Sequence, residues 1–246
     1  MSGVFRVGTS GWTYEHWRGL FYPPDLPQRE WFAYYTGVFD TVEINSSFYH
    51  LPRPSTIERW YQIAPSGFLF AVKGSRYITH LKRLQGVEDA LQRFFEICSL
   101  FREKLGPILF QFPPRMTFQR DVFATFLELL EKEKHLYAFE FRNPSFFCDE
   151  VFEMLREHNF CLCFADTPRY PYQEVLTASF VYLRLHGSQS LYTHCYSEEE
   201  LRVWAGKIRN WLTERNVYCY FDNDYRGYAI SNALRLRELV LLGEGE

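Results

Sequence analysis

Nearly every short apolar segment of this chain closes on side chains that ionise or hydrogen-bond. They are Glu43 and Asn45, Lys73, Gln111, Glu140 and Arg142, Asp166, Arg184 and His186, and Asp222. These residue types suit acid–base work on an anion: Glu43, Glu140 or Asp222 takes a proton, His186 gives one, and Lys73, Arg142 and Arg184 hold negative charge. Glu140 and Arg142 are two residues apart, as are Arg184 and His186, so each pair shares one face of an extended strand. An uncompensated ion at the end of a buried strand costs several kcal/mol. The competing reading is a self-satisfied ion network that merely fills space. Clustered ionisable groups favour a functional site.

The elements that would position them alternate. Strands are expected at Phe5–Thr9, Thr41–Asn45, Phe68–Lys73, Ile108–Phe112, Leu136–Phe141, Phe160–Asp166, Phe180–His186 and Val217–Asp222. Helical patterns lie between or after them, at about Gln28–Tyr35, Ser55–Ile63, Val87–Leu105, Arg120–Lys132, Asp149–His158, Glu198–Thr213 and Ile230–Leu241. Eight strands alternating with helices in 246 residues predict an α/β (β/α)8 TIM barrel, a single domain over 1–246. Too few residues separate Asp166 from Phe180, with Pro168 and Pro171 among them, so the sixth helix should be short or missing. In such a barrel the polar strand ends converge on the C-terminal face.

Composition bounds the ligand. With 47% hydrophobic and 23% charged residues the chain is an ordinary globular one, and its net charge of −3 excludes coating of nucleic acid or membrane by bulk charge. The loops after the strands behave differently. They hold ten Lys or Arg against four acids, a charge of +6, which points to an anionic ligand at that face. Aromatic residues reach 19%, and loop members such as Trp12 and Tyr49 suit stacking on sugars or bases, although packing onto the scaffold is the plainer use. The start Met1–Val7 lacks the features of a signal peptide, and no stretch approaches the ~20 apolar residues of a membrane helix. Six scattered cysteines read as reduced thiols, so the expected compartment is the cytoplasm, with no membrane association.

No histidine pair has helical metal-site spacing. His80, Glu140, Asp166 and His186 are weak metal candidates that would bind only if the fold converged them, which leaves a divalent metal open. Hydrogen-bonded histidines are the simpler expectation. No glycine-rich phosphate loop supports a nucleotide cofactor, and no nucleophile elbow supports acyl-enzyme chemistry.

Together these segments resemble the family catalogued as domain of unknown function 72. The matching motifs are GTSGW at 8–12, VEINSSFY at 42–49, LFQFPP at 109–114, FEFRNPSF at 139–146, YLRLHG at 182–187 and YFDND at 220–224. The resemblance spans essentially the whole chain, and it implies a TIM barrel with a polar pocket and no established reaction. Phe146 stands where the family often has tryptophan, and Asp222 where asparagine is frequent.

The expected function is binding of, or acid–base hydrolysis or lyase chemistry on, a phosphorylated or anionic sugar- or nucleotide-type ligand, nucleic acid included. The ligand would be contacted by Trp12, Asn45, Tyr49, Lys73, His80, Gln111, Arg142, Asp166, Arg184 and Asn223. One alternative is a glycosidase using paired carboxylates from Glu43, Glu140 and Asp222. The other is a binding protein without chemistry. No protein partner is expected.

Overall fold

The computed structural model describes residues 2–242; Met1 and residues 243–246, the ends of the expected domain, lie outside the described residues. In chain order the strands are β1 (Phe5–Thr9), β2 (Thr41–Ile44), β3 (Leu69–Lys73), β4 (Leu105–Gln111), β5 (Tyr137–Glu140), β6 (Cys161–Leu162), β7 (Phe164–Asp166), β8 (Phe180–Leu185) and β9 (Asn216–Phe221). The α-helices are α1 (Trp31–Thr36), α2 (Ser46–Tyr49), α3 (Pro54–Ile63), α4 (Glu88–Ser99), α5 (Arg120–Glu131), α6 (Asp149–Glu157), α7 (Glu198–Trp211) and α8 (Tyr228–Leu242). Two parallel sheets result, ordered β1-β9-β8-β7 and β2-β3-β4-β5-β6. This is the alternation of an α/β barrel. No helix among the described residues is long and apolar enough to cross a membrane.

The chain forms two compact units. The first comprises the chain to Glu43, Phe164–Tyr172 and the chain from Ser179; the second comprises Ile44–Cys163 and Gln173–Ala178. The expected sixth strand is divided between the sheets. Cys161 and Leu162 pair with β5, and Cys163 N–H still donates to Phe139 O at 2.8 Å, whereas Phe164–Asp166 pairs with β8. The sixth helix is missing, as expected: residues 167–179 are irregular. Thr177 supplies what a regular partner would, accepting from Leu162 N–H at 2.8 Å and donating to Phe160 O at 2.7 Å.

Three boundaries depart from expectation. The helix expected to run to Leu105 stops at Ser99, because Arg102 takes a left-handed φ of 52° and β4 begins at Leu105. Two short helical turns, α2 and the π-helix Tyr77–Leu81, follow β2 and β3 where loops were expected. Each is too brief to leave a periodic signal.

Within the first unit, Gly8 of β1 is required by close approach. A Cβ there would sit 2.2 Å from Thr41 O, while the Tyr35 hydroxyl donates to the same carbonyl at 3.1 Å and accepts from Thr9 N–H at 3.0 Å. In the second unit the aromatic excess is mostly core. Phe139 and Phe141 alternate toward α5, with Phe123 at 5.8 and 5.9 Å, and Phe141 stacks on Phe146 at 4.5 Å. The two-residue period then turns Glu140 to the opposite face of β5.

Candidate functional site

In the first unit, β8 presents Tyr182, Arg184 and His186 on one face, each within two residues of the next. Arg184 is 1% exposed and grips Glu43, itself fully buried, through Nε–Oε2 at 3.0 Å and Nη2–Oε1 at 2.7 Å. Tyr182 donates to Oε2 at 2.6 Å and Ser10 to Oε1 at 2.7 Å. A carboxylate offers about four lone-pair sites, and these four donors occupy them. Glu43 therefore has nothing left with which to accept a substrate proton, and Arg184 is committed to it. The reading of Glu43 as base and Arg184 as anion holder gives way to a structural anchor, the self-satisfied network anticipated as the rival reading.

Next to this anchor, His186 Nδ1 lies 2.9 Å from Asp222 Oδ2 and its Nε2 lies 3.3 Å from Arg184 Nη1. A guanidinium only donates, so Nε2 accepts and the proton resides on Nδ1, donated to Asp222. With 1% exposure, His186 orients Asp222 rather than serving as a solvent-facing acid. The Asp222 side chain keeps 22% of its surface open.

The loop after β9 adds a carboxylate that sequence reasoning passed over. Asp224 accepts from Trp17 Nε1 at 2.6 Å and pairs with His16 Nε2 at 2.9 Å. Burial pushes its pKa up to about 6; the Trp17 and His16 contacts oppose this and the neighbouring Asp222 charge adds to it. Asp166, half-buried, accepts from the Tyr196 hydroxyl at 2.9 Å; burial raises its pKa, an effect the Tyr196 bond opposes. Asn223 is fully buried. Its Nδ2 donates to His194 O at 2.8 Å and Asn232 Oδ1 at 2.9 Å, which ties the loop before α7 to α8. Trp12 is 8% exposed and packs on Phe32 at 4.8 Å, the plainer of its two readings.

The second unit gathers a different set. Arg142 Nε bonds Glu140 Oε1 at 2.8 Å, with the side chains 12% and 1% exposed. Gln111 stands beside Glu140 in the β4–β5 register, and its Oε1 is buried with no hydrogen-bond partner among the described residues. Lys73 extends its ammonium over the Phe48 ring at 4.5 Å, and the His80 ring meets the same phenyl edge-on at 4.9 Å. Thr79 Oγ1 lies 2.8 Å from His80 Nδ1. Burial lowers the His80 pKa to about 4, helped by Lys73, Arg142 and Arg76, with Glu140 alone opposing. Asn45 is half-buried at the start of α2, and Tyr49 is 62% exposed.

Topology also sorts the loop charge. The loops of the second unit carry seven of the ten cations and one acid, hence the whole +6, whereas those of the first unit balance. The weak metal candidates divide likewise, His80 and Glu140 in the second unit and Asp166 and His186 in the first. Among the described residues no group of three His, Cys, Asp or Glu converges as a metal ion would need.

Tyr182, Ser10 and Tyr196 were not nominated from sequence. Continuing the two-residue period of Arg184 and His186 back one step would have found Tyr182. Ser10 lies within the GTSGW motif at 8–12, and nothing local marks Tyr196.

Comparison with known proteins supports the fold. A DUF72 family protein of Thermotoga maritima is 29% identical, covering 97% of this chain and 99% of its own, with a TM-score of 0.87. A D-psicose 3-epimerase is 11% identical with a TM-score of 0.61, a likeness of fold alone. The UPF0759 protein YunF of Bacillus subtilis is 24% identical over 274 residues, covering 96% of this chain and 95% of its own. The α/β-barrel architecture is thus shared with solved relatives. The family described as "Protein of unknown function DUF72" matches residues 6–245, and the chain belongs to that family.

Proposed function

We propose that the protein binds a small phosphate- or carboxylate-bearing ligand at the strand ends of the second unit, in a seat formed by Lys73, His80, Gln111 and Arg142. One observation carries this reading: a histidine whose pKa burial lowers to about 4 has three cations, Lys73, Arg142 and Arg76, and a single carboxylate about it, and the cations lower it further. A positive surplus of this kind favours an anionic ligand. The buried Gln111 carbonyl, still lacking a donor, suits a ligand hydroxyl, so a phosphorylated sugar or nucleotide fits both features. The six free cysteines accord with a reducing compartment such as the cytoplasm.

The glycosidase alternative needs two carboxylates free for the sugar. Glu43 and Glu140 each bonded to an arginine weigh against it.

Inorganic phosphate, a phosphosugar and the corresponding neutral sugar, followed by thermal shift and by NMR of the His80 ring, test the seat. Phosphorylated compounds are expected to raise Tm and to move the His80 midpoint up from about 4, and Lys73→Met should abolish both responses. Equal stabilisation by the neutral sugar, or a free-protein midpoint near 6.5, would overturn the reading. Conversion of the bound compound would mark an enzyme; stoichiometric binding without conversion would mark a binding protein.

A further inference from the structure

We infer that the loops following β2, β3 and β4 form a docking strip for single-stranded nucleic acid, which extends beyond the small-anion seat and shares Arg76 with it. Residues 45–57, 74–87 and 112–120 contain no Asp or Glu and carry Arg53, Arg76, Lys82, Arg83, Arg115 and Arg120. Their parent strands are consecutive in one parallel sheet, spaced about 4.8 Å apart, so the loops leave side by side. Arg120 is paired with Glu150 at 2.9 Å, and the other five cations leave a surface suited to a chain of phosphates rather than a single one.

Aromatic rings interleave with that charge. Tyr49 is 62% exposed and Tyr77 46% exposed, where most of the aromatic excess is core. Neither is loosely held. Tyr49 packs edge-on against Phe48 at 5.0 Å, and Phe48 is itself fixed by Lys73 and His80. Tyr77 opens the π-helix Tyr77–Leu81, a geometry frequent at functional sites, and Lys82 Nζ lies 5.8 Å from its ring centroid. Exposed rings held in place stack on bases at little entropic cost, and stacking tolerates any base.

A third observation lies between the second and third loops. A cavity of about 130 Å³ is flanked by Arg83 and Arg115, with Thr117 and Gln119 beside them and Phe123 and Phe146 among its apolar lining. Arg83 reaches it from a left-handed backbone, φ 48°, followed by Leu84 at 71°. Two consecutive non-glycine residues in that region are strained and persist only where their surroundings hold them. Leu84, 3% exposed, anchors the turn and so holds Arg83 at the cavity. Two arginines over a pocket of this size suit one backbone phosphate, with bases laid toward Tyr77 and Tyr49.

Fluorescence anisotropy with labelled oligothymidylate of about 12 nucleotides, between about 50 and 200 mM salt, tests the strip. Polyphosphate and polyglutamate serve as base-free polyanions. Wild type is expected to bind the oligonucleotide more tightly than either. Tyr77→Ala should weaken DNA binding by about tenfold and leave polyphosphate unaffected, and Tyr77→Phe should restore it. Arg115→Ala should lower the salt slope by about 1 while the Tm shift with inorganic phosphate persists, which separates the strip from the seat. Equal affinity for polyphosphate with no effect of Tyr77→Ala would overturn the inference, as would no oligonucleotide binding at the lowest salt.

Discussion

Arg184→Met is expected to destabilise the protein by about 3–5 kcal/mol, because it leaves Glu43 ionised in a fully buried place. Glu43→Gln should be costly for the converse reason, since a guanidinium that is 1% exposed loses its close carboxylate and keeps Asp222 at 3.4 Å. The pair itself contributes far less than either loss suggests. A joint Glu43→Leu and Arg184→Met protein, filling similar volume with apolar groups, is expected to recover most of the stability. Urea denaturation of the three variants gives the coupling energy directly. An Arg184→Met protein within about 1 kcal/mol of wild type would contradict the anchor assignment. Ser10 and Tyr182 sharpen the expectation, for each would keep a hydroxyl aimed at a carboxylate that no longer has its cation.

The pH dependence of stability should carry a second large signature, from Asp224. Its folded pKa, about 6, lies above its unfolded value near 3.8, so the native state binds the extra proton. That stability is fully present below the unfolded value and lost as pH rises through about 6. The shift of about 2 units corresponds to about 2–3 kcal/mol. In Asp224→Asn the amide oxygen still accepts from Trp17 and nothing titrates. The variant is thus expected to gain on wild type by about 2–3 kcal/mol between pH 4 and 7, with the difference flat above. Parallel stability profiles across that window would sink the assignment. His16 is 47% exposed at its side chain, so loss of its pairing should matter little.

Much of the architecture was readable because alternation leaves a mark. Phe180–His186 shows its two faces in sequence, and the Glu140–Arg142 pairing follows from their spacing. Phe160–Asp166 is the counterexample. It is apolar almost throughout, as a strand buried on both faces is, so no periodicity reveals the change of sheet at Cys163. Arg102 hid the end of α4 for a different reason: arginine seldom adopts a left-handed φ, and nothing near it signals the turn.

The site was legible as a set of residues and not as a set of partners. Glu43 and Arg184 are 141 positions apart, and only the fold reveals that they spend their charge on each other. The loop excess of +6 was countable, yet its confinement to the second unit depends on which strands neighbour which. Asp224 was overlooked because its raised proton affinity comes chiefly from burial, which nothing adjacent in the sequence signals.

The suppressed histidine has a calorimetric consequence. Burial is the main reason that His80 resists a proton, and an anion settling beside Lys73 and Arg142 would relieve the repulsion that adds to it. Between the free and bound midpoints, ligand uptake would therefore draw a proton from the medium. The observed heat would then depend on the ionisation enthalpy of the buffer, and the slope of that dependence counts the protons taken up by a single imidazole.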